Sequence, residues 1–138
     1  MTEEILDNQL EIIETFDMFD DWLEKYQYII DLGKELPPMD ASLKTDTNLL
    51  AGCQSQVWLT HEFKDNKLYF QANSDAAIVS GLIALVMTIY SAQTPQYIIN
   101  TEPNFIELIG LSSHLSSTRS NGLNAMIEKI KATAQRYL

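Results

Sequence analysis

Apolar residues recur at helical spacing in the first quarter of the chain. In residues 2–16, isoleucines and leucines alternate with acidic side chains, and the acids lie in the first turns, where the helix dipole favours them. A second amphipathic pattern covers residues 22–32, after the acidic pair Asp20-Asp21 and before Gly33, a common helix stop. The first two predicted elements are therefore helices.

A loop and a group of strands are predicted next. A proline pair makes residues 33–46 a loop, and residues 48–50 form a short first strand. Residues 56–64 and 67–72 alternate apolar and polar side chains with the period of two that is typical of strands, and Asp65-Asn66 suits a tight hairpin turn. The pattern predicts a small three-stranded antiparallel sheet.

The longest apolar stretch of the chain, residues 76–90, predicts a central helix. It is apolar on nearly every side, so we expect it to be buried on the sheet. Ser74 is the predicted N-cap of this helix, with Asp75 in its first turn.

Short helices and one long helix complete the predicted fold. Thr94-Pro95 and Glu102-Pro103 each start a short helix, since proline is favoured at the first helical position, and the second of these runs over residues 105–111. Ser116 caps the last helix, whose predicted core residues are Leu123, Met126, Ile127 and Ile130. Helices, strands and helices in this order predict one two-layer α+β domain over residues 1–138, with the sheet packed against the helices.

The charge balance excludes several classes of function. The net charge is -10, whereas binding of nucleic acid requires clustered lysine and arginine. The same charge disfavours binding to an anionic membrane surface.

The sequence also lacks the patterns of export and of a membrane span. The acidic start Met1-Thr2-Glu3-Glu4 does not have the pattern of a signal peptide, and residues 76–90 fall short of the ~20 residues that a bilayer requires. We therefore expect a cytoplasmic protein without nucleic-acid or membrane partners.

The only cysteine, Cys53, defines what sulfur chemistry is possible. One thiol cannot form an intramolecular disulfide or supply the ligands of a structural zinc or iron–sulfur site. Gly52 before it and the polar Gln54 and Ser55 after it place Cys53 in a loop that leads into a strand, where functional residues often lie. The pattern leaves two interpretations open, a reactive thiol or a small buried apolar residue.

Other common chemistries find little support in the sequence. There is no nucleophile elbow and no glycine-rich phosphate loop, and Cys53, His61 and His114 lack metal-ligand spacing, so we expect neither a metal nor a cofactor. A cysteine hydrolase that uses Cys53 and His114 is conceivable, although no pattern marks an oxyanion hole. His61 lies in the apolar row of its strand and is interpreted as structural.

Arg119 occupies an unfavourable position. With Ser116 as N-cap it falls in the first turn of the last helix, where a cation meets the positive end of the dipole at a cost of up to about 1 kcal/mol. Either the residue acts on something outside its helix, or it is a tolerated surface arginine.

Taken together, several segments give the chain a resemblance to the SufE family of sulfur-acceptor proteins. The matching segments are Trp22-Leu23-Glu24-Lys25-Tyr26, Ile29-Ile30-Asp31-Leu32-Gly33, Leu36-Pro37, Gly52-Cys53-Gln54-Ser55-Gln56-Val57-Trp58, Ser74-Asp75-Ala76-Ala77-Ile78-Val79, Gly81-Leu82-Ile83-Ala84, Thr94-Pro95, His114-Leu115-Ser116, Arg119-Ser120 and Gly122-Leu123. The cysteine and arginine motifs are specific in this order and at this separation. Ser80 departs from the pattern, because many members have lysine there.

The resemblance implies a function for the cysteine. Cys53 would accept sulfane sulfur from a pyridoxal-phosphate cysteine desulfurase, carry it as a persulfide, and pass it to an iron–sulfur cluster scaffold. It also implies that the chain stimulates the desulfurase, and that its fold is similar to that of scaffold proteins of the IscU type. The chain lacks the three cysteines of such a scaffold, so it should not hold a cluster itself.

The resemblance also implies roles for residues around the cysteine. Gly52, Gln54, Ser55, Asp75, His114 and Arg119 are candidates for partner binding or for control of the cysteine loop. The partner is either a cysteine desulfurase or a cysteine sulfinate desulfinase, and the chain is a monomer or a homodimer. Two other functions stay open: a non-covalent adaptor that activates the desulfurase without using Cys53, and a thiol-dependent hydrolase or peroxidase.

Overall fold

The computed structural model describes residues 7–51 and 55–138. Two strands and seven α-helices are found in this part of the chain: α1 (Asp7–Asp17), α2 (Trp22–Lys34), β1 (Val57–Lys64), β2 (Lys67–Ser74), α3 (Ala77–Tyr90), α4 (Pro95–Asn100), α5 (Phe105–Leu108), α6 (Leu111–His114) and α7 (Ser117–Gln135). This is the α+β class that the sequence predicts. The predicted start of the first helix, before residue 7, lies outside the described residues.

The two strands form the predicted hairpin. They pair antiparallel from Val57 opposite Ser74 to Lys64 opposite Lys67. The turn residues Asp65 and Asn66 both have positive φ, 53° and 65°, as a two-residue turn that matches the strand twist requires. The hairpin and its turn are therefore confirmed.

The predicted third strand is not found in the described residues. Residues 46–48 form a 3-10 turn instead, in which the Asn48 side chain also donates to the Leu43 carbonyl at 2.8 Å. Only a single bridge from Leu49 to Trp58 and one hydrogen bond, from the Leu50 N–H to the Val57 carbonyl, join this segment to β1. The turn takes up the backbone groups that a third strand would need, so the sheet has two strands here.

Helix α3 is the central buried helix, as predicted, but its start differs. The N-cap is Ala76, and no side chain caps the helix. The Ser74 hydroxyl instead accepts from the Ala76 N–H at 3.2 Å, while the Ser80 hydroxyl donates to the Ser74 carbonyl at 3.4 Å. Ser74 is still paired in β2, so it stabilises the turn between strand and helix and does not cap the helix.

The crossing of α2 and α3 explains why Gly33 does not end a helix. Helix α2 continues to Lys34, one residue past Gly33. A Cβ on Gly33 would lie 2.7 Å from the Gly81 nitrogen, and a Cβ on Gly81 would lie 1.9 Å from the Ile29 carbonyl oxygen. The two glycines thus permit a close backbone approach, and the predicted stop at Gly33 was wrong.

The helices at Thr94 and Ser116 begin as predicted, whereas α5 begins at Phe105 with Asn104 as its N-cap, so the prediction of Pro103 at the first helical position was wrong. Thr94 and Ser116 both cap through their hydroxyl groups. The predicted helix over residues 105–111 divides into α5 and α6, because Gly110 between them has a φ of 83°, outside helical geometry. All four predicted core residues of α7 are buried: Leu123, Met126, Ile127 and Ile130. Over the described part of the chain, no helix is both long and apolar enough to cross a bilayer.

Candidate functional site

A cavity of about 340 Å³ lies where the open end of the hairpin meets α3 and α7. Its described lining consists of Ser55, Val57, Val79, Leu82, Ile83, Ser116, Thr118, Arg119, Gly122, Leu123 and Met126. Apolar side chains from three elements form most of this surface, and hydroxyl groups and one guanidinium complete it.

Helical and strand periodicity explains why these apolar residues share one cavity. One face of α3 carries residues i, i+3 and i+4 of the lining, which are Val79, Leu82 and Ile83. On α7, Gly122 and Met126 are four residues apart and likewise share a face. Because neither helix fills the space between them, an apolar cavity remains.

Arg119 is the only charged residue in the described lining of this cavity. It lies in the first turn of α7, where its N–H donates to the Ser116 hydroxyl at 3.2 Å. Its side chain is exposed and forms no ion pair with any residue that the structure describes. The guanidinium therefore adds a positive charge to the rim of an otherwise uncharged cavity.

The loop that carries the cysteine is closed at its base. The Leu50 N–H donates to the Val57 carbonyl at 2.7 Å, and Leu49 bridges to Trp58. The described residues on the two sides of the cysteine segment, Leu50 and Val57, therefore lie side by side, and half-buried Ser55 lines the cavity. Cys53 and the neighbouring candidates Gly52 and Gln54 lie outside the described residues.

Asp75 lies near the same end of the hairpin. It directly follows Ser74, which pairs with Val57, the strand residue that also lines the cavity. Asp75 is exposed and does not belong to the lining. The fold thus brings Asp75 to the end of the sheet where the cysteine loop rejoins β1.

His114 contacts helix α2 and does not line the cavity. Its ring stacks on Trp22 with the centroids 3.9 Å apart and the planes at 15°, and Nδ1 lies 3.0 Å from the Gly110 carbonyl oxygen. Because a carbonyl only accepts, Nδ1 carries the proton in this contact. The Tyr26 hydroxyl also donates to the His114 carbonyl. The structure therefore separates His114 from the residues that line the cavity.

His61 lies away from the cavity, against the end of the chain. Its Nε2 is 3.0 Å from the Tyr137 hydroxyl. Burial lowers the pKa of His61 below its ordinary value, and the positive charges of Arg136 and Lys129 lower it further. A half-buried histidine with one hydrogen-bond partner is what the sequence led us to expect of a structural residue.

Several residues of the lining were not singled out from the sequence as site residues. Thr118 and Met126 gave no signal beyond the pattern of their helix, and Val79 belonged to a matching segment without being assigned a role. Ser116 was predicted as a helix cap and belonged to a matching segment, and it also lines the cavity. In the described part of the chain, no three His, Cys, Asp or Glu side chains are grouped so that they could hold a metal ion.

Comparison with known proteins gives the family. The model of the SufE family, described as an Fe-S metabolism associated domain, matches residues 10–134. An uncharacterized SufE-like protein of Rhizobium meliloti (strain 1021) is 42% identical over 133 residues, which cover 93% of this chain and 95% of that protein. The chain therefore belongs to the SufE family, and this membership associates it with iron–sulfur metabolism.

A solved structure shows a similar fold. The solution structure of a hypothetical protein from Thermus thermophilus has a TM-score of 0.78, with 96% of this chain and 97% of that chain covered. The two sequences are 16% identical, so this likeness concerns the fold alone.

Proposed function

We propose that the chain accepts sulfane sulfur on Cys53 from a cysteine desulfurase, stimulates that enzyme, and relays the sulfur to iron–sulfur cluster assembly. Membership of a family associated with iron–sulfur metabolism supports the general role. The observation that carries the specific role is that Ser55, two residues after the only cysteine of the sequence, lines an apolar cavity with Arg119 on its rim.

The chemistry of the transfer needs only one thiol. The thiolate of Cys53 attacks the terminal sulfur of a persulfide on the desulfurase and forms a new sulfur–sulfur bond. The bond between that sulfur and the donor cysteine breaks, and the donor leaves as a thiolate, so the exchange consumes no oxidant or reductant. A second cysteine nearby would attack the persulfide, form a disulfide and release sulfide. The lone cysteine of this chain avoids that loss.

The cavity supplies an apolar environment suited to a persulfide on Cys53. Ser55 lines the cavity and follows Cys53 by two residues, a separation that the chain spans with at most about 7 Å. We infer that the persulfide is sheltered among the apolar side chains of α3 and α7, away from oxidants. The loop then presents the sulfur to the partner.

Arg119 supplies the electrostatic part of the proposal. A thiolate and a persulfide anion are both negative, and a nearby guanidinium lowers the free energy of the charged form. Its first-turn position disfavours a cation, so local helix stability does not account for it. In our proposal Arg119 stabilises the anion during transfer or contacts the desulfurase at that moment.

Partner and location belong to the same proposal. The donor is a pyridoxal-phosphate cysteine desulfurase or a cysteine sulfinate desulfinase, and a cluster scaffold is the recipient. We place this exchange in the cytoplasm, where an unpaired thiol stays reduced. Residues 1–138 act as one domain, with Asp75 as a further candidate contact near the cysteine loop.

Transfer of radioactive sulfur tests the proposal. The protein is incubated with each cysteine desulfurase of the same cell and with cysteine that carries radioactive sulfur, and is then separated without reductant. We expect label on the wild type that dithiothreitol releases, and none on the Cys53→Ser variant. Because Cys53 is a loop residue in the sequence pattern, the variant should unfold at the same temperature as the wild type.

A matched control keeps the number of thiols constant. The double variant Cys53→Ser/Ser55→Cys moves the thiol by two residues within the same loop. It should accept much less label than the wild type, since the loop then presents the thiol at another position. Undiminished labelling of the Cys53→Ser variant would rule out Cys53 as the carrier.

A further inference from the structure

The segment Trp22–Tyr26 belongs to the family resemblance, yet none of its residues lies at the cavity. Its place in the fold is well defined. The Asp21 carboxylate accepts from the Glu24 N–H at 2.9 Å, and Glu24 in turn accepts from the Asp20 N–H at 3.0 Å. These two hydrogen bonds fix the first turn of α2, so the Trp22 side chain leaves the helix in a defined direction.

Two contacts join α2 to His114, and a third joins it to Gly110. The Trp22 and His114 rings stack, and the Tyr26 hydroxyl donates to the His114 carbonyl. Gly110 packs beside Trp22, because a Cβ at residue 110 would lie 3.4 Å from Trp22 Cζ2. The His114 ring is tied back to the Gly110 carbonyl. Side chains of α2 thus hold both ends of α6.

Helix α6 requires such support. It has four residues, too few for a helix that is stable by itself, and its final residue is His114. Ser116, the N-cap of α7, follows two residues later, and Arg119 lies in the first turn after it. Only Leu115 separates His114 from the Ser116 cap, so the contacts that hold His114 lie directly beside the start of α7.

We propose that Trp22 and Tyr26 are positioning residues, which hold His114 and thereby direct Arg119 toward the cavity. The exposed guanidinium has no ion pair with a described residue that would otherwise hold it, so its position depends on its helix turn. The effect of this positioning on sulfur transfer rests on the proposed function. The positioning itself is argued only from the contacts of Trp22, Tyr26 and His114.

The first test uses Tyr26→Phe, which removes one hydroxyl and keeps the ring. Tyr28→Phe is the matched control, because Tyr28 lies on the same helix but packs against Phe16 and Phe19, with ring centroids 5.4 and 5.2 Å away. Amide hydrogen exchange is measured by NMR on the free protein. For Tyr26→Phe we expect exchange at the Arg119 and Ser120 amides to rise about fivefold, the factor of one neutral hydrogen bond.

The pattern of exchange separates positioning from general stability. The amide of Ile130, deep in α7, should exchange as in the wild type in both variants. Unchanged exchange at Arg119 and Ser120 in Tyr26→Phe would overturn the inference. An equal rise along all of α7, or the same rise in Tyr28→Phe, would also overturn it.

The second test measures stimulation of the desulfurase. For Tyr26→Phe we expect the concentration that gives half-maximal stimulation to rise about fivefold, while the rate at saturation is kept. In a protein that already carries Arg119→Ala, the same change should have no further effect, since Tyr26 acts through Arg119. Additive effects of the two substitutions would overturn the inference.

The two tests distinguish the inference from the function on which it rests. If Arg119→Ala leaves stimulation unchanged, the proposed role of Arg119 fails. The exchange measurement still decides whether Trp22 and Tyr26 hold the start of α7. Trp22→Leu, which keeps an apolar side chain but removes the stacked ring, should raise exchange at the Arg119 and Ser120 amides in the same way.

Discussion

At the scale of single residues, Arg119 combines an unfavourable helix position with a favourable place in the fold. A cation in the first turn of α7 opposes the helix dipole, but that turn lies on the rim of the apolar cavity. The Ser116 cap, apparent in the sequence, predicted that Arg119 lies in the first turn of α7. Its place on the rim of the cavity depends on how α7 packs, and no local pattern specifies that packing.

Replacement of Arg119 should separate function from stability. In Arg119→Ala we expect stimulation of the desulfurase to fall about tenfold, the factor of one charge-assisted hydrogen bond. The free energy of unfolding should stay within about 1 kcal/mol of the wild type, because the dipole penalty is removed. Activity titrations and urea denaturation measure the two quantities.

Arg119→Lys is the control for charge. It keeps the positive charge but not the planar fork, so it should restore part of the stimulation. If Arg119→Ala loses more free energy of unfolding than the free energy that corresponds to its loss of stimulation, the residue is structural.

His61 gives the hairpin a pH-dependent contribution to stability. Its pKa is lowered from 6.5 by burial and then by Arg136 and Lys129, so the unfolded chain takes up a proton more readily than the folded one. The contribution is therefore fully present above pH 6.5 and is lost as the pH falls from 6.5 toward the lowered pKa.

The variant His61→Gln should lack this part of the pH dependence. The free energy of unfolding, measured by urea denaturation between pH 7.5 and about 5, should fall less for the variant than for the wild type. His114 is common to both proteins, so it does not affect the difference. Parallel curves for the two proteins would contradict this assignment.

At the scale of elements, the close crossing of α2 and α3 supports one wall of the cavity. Val79, Leu82 and Ile83 line the cavity from the same stretch of α3 that crosses α2 at Gly81. A larger residue at the crossing would push α3 away from α2 and so disturb that wall.

Alanine at the two glycines should destabilise the protein unequally. In Gly81→Ala the new Cβ would meet the Ile29 carbonyl at 1.9 Å, and we expect a cost of about 3 kcal/mol in the free energy of unfolding. In Gly33→Ala the nearest atom would be at 2.7 Å, and we expect roughly half that cost. Thermal and urea denaturation measure both, and a larger effect at Gly33 would contradict this account of the crossing.

The elements themselves were largely predictable, and the exceptions have physical causes. Helical and strand periods gave the hairpin, α3 and α7, since each buries one set of side chains. The third strand, predicted over residues 48–50, was not found because a 3-10 turn over residues 46–48 takes up the Leu49 N–H, which donates to the Asp46 carbonyl. Gly33 was misread because a glycine required for close packing looks the same in sequence as one that ends a helix.

At the scale of the whole molecule, the site is a product of tertiary packing. The cysteine and arginine motifs were apparent from the sequence, and the fold brings the base of the cysteine loop, α3 and the start of α7 to one cavity. The cavity itself was not predictable, because its volume depends on how far apart the helices lie. The association of His114 with Trp22 was unforeseen for the same reason.

The central claim is that Cys53 carries sulfur, and mass spectrometry tests it most directly. The protein is incubated with the desulfurase and cysteine, alkylated, and digested, and the mass of each peptide is determined. We predict that the peptide with Cys53 gains the mass of one sulfur atom, and that reductant removes it. A desulfurase that is stimulated in the same reaction while this peptide gains no sulfur would contradict the account and favour a non-covalent activator.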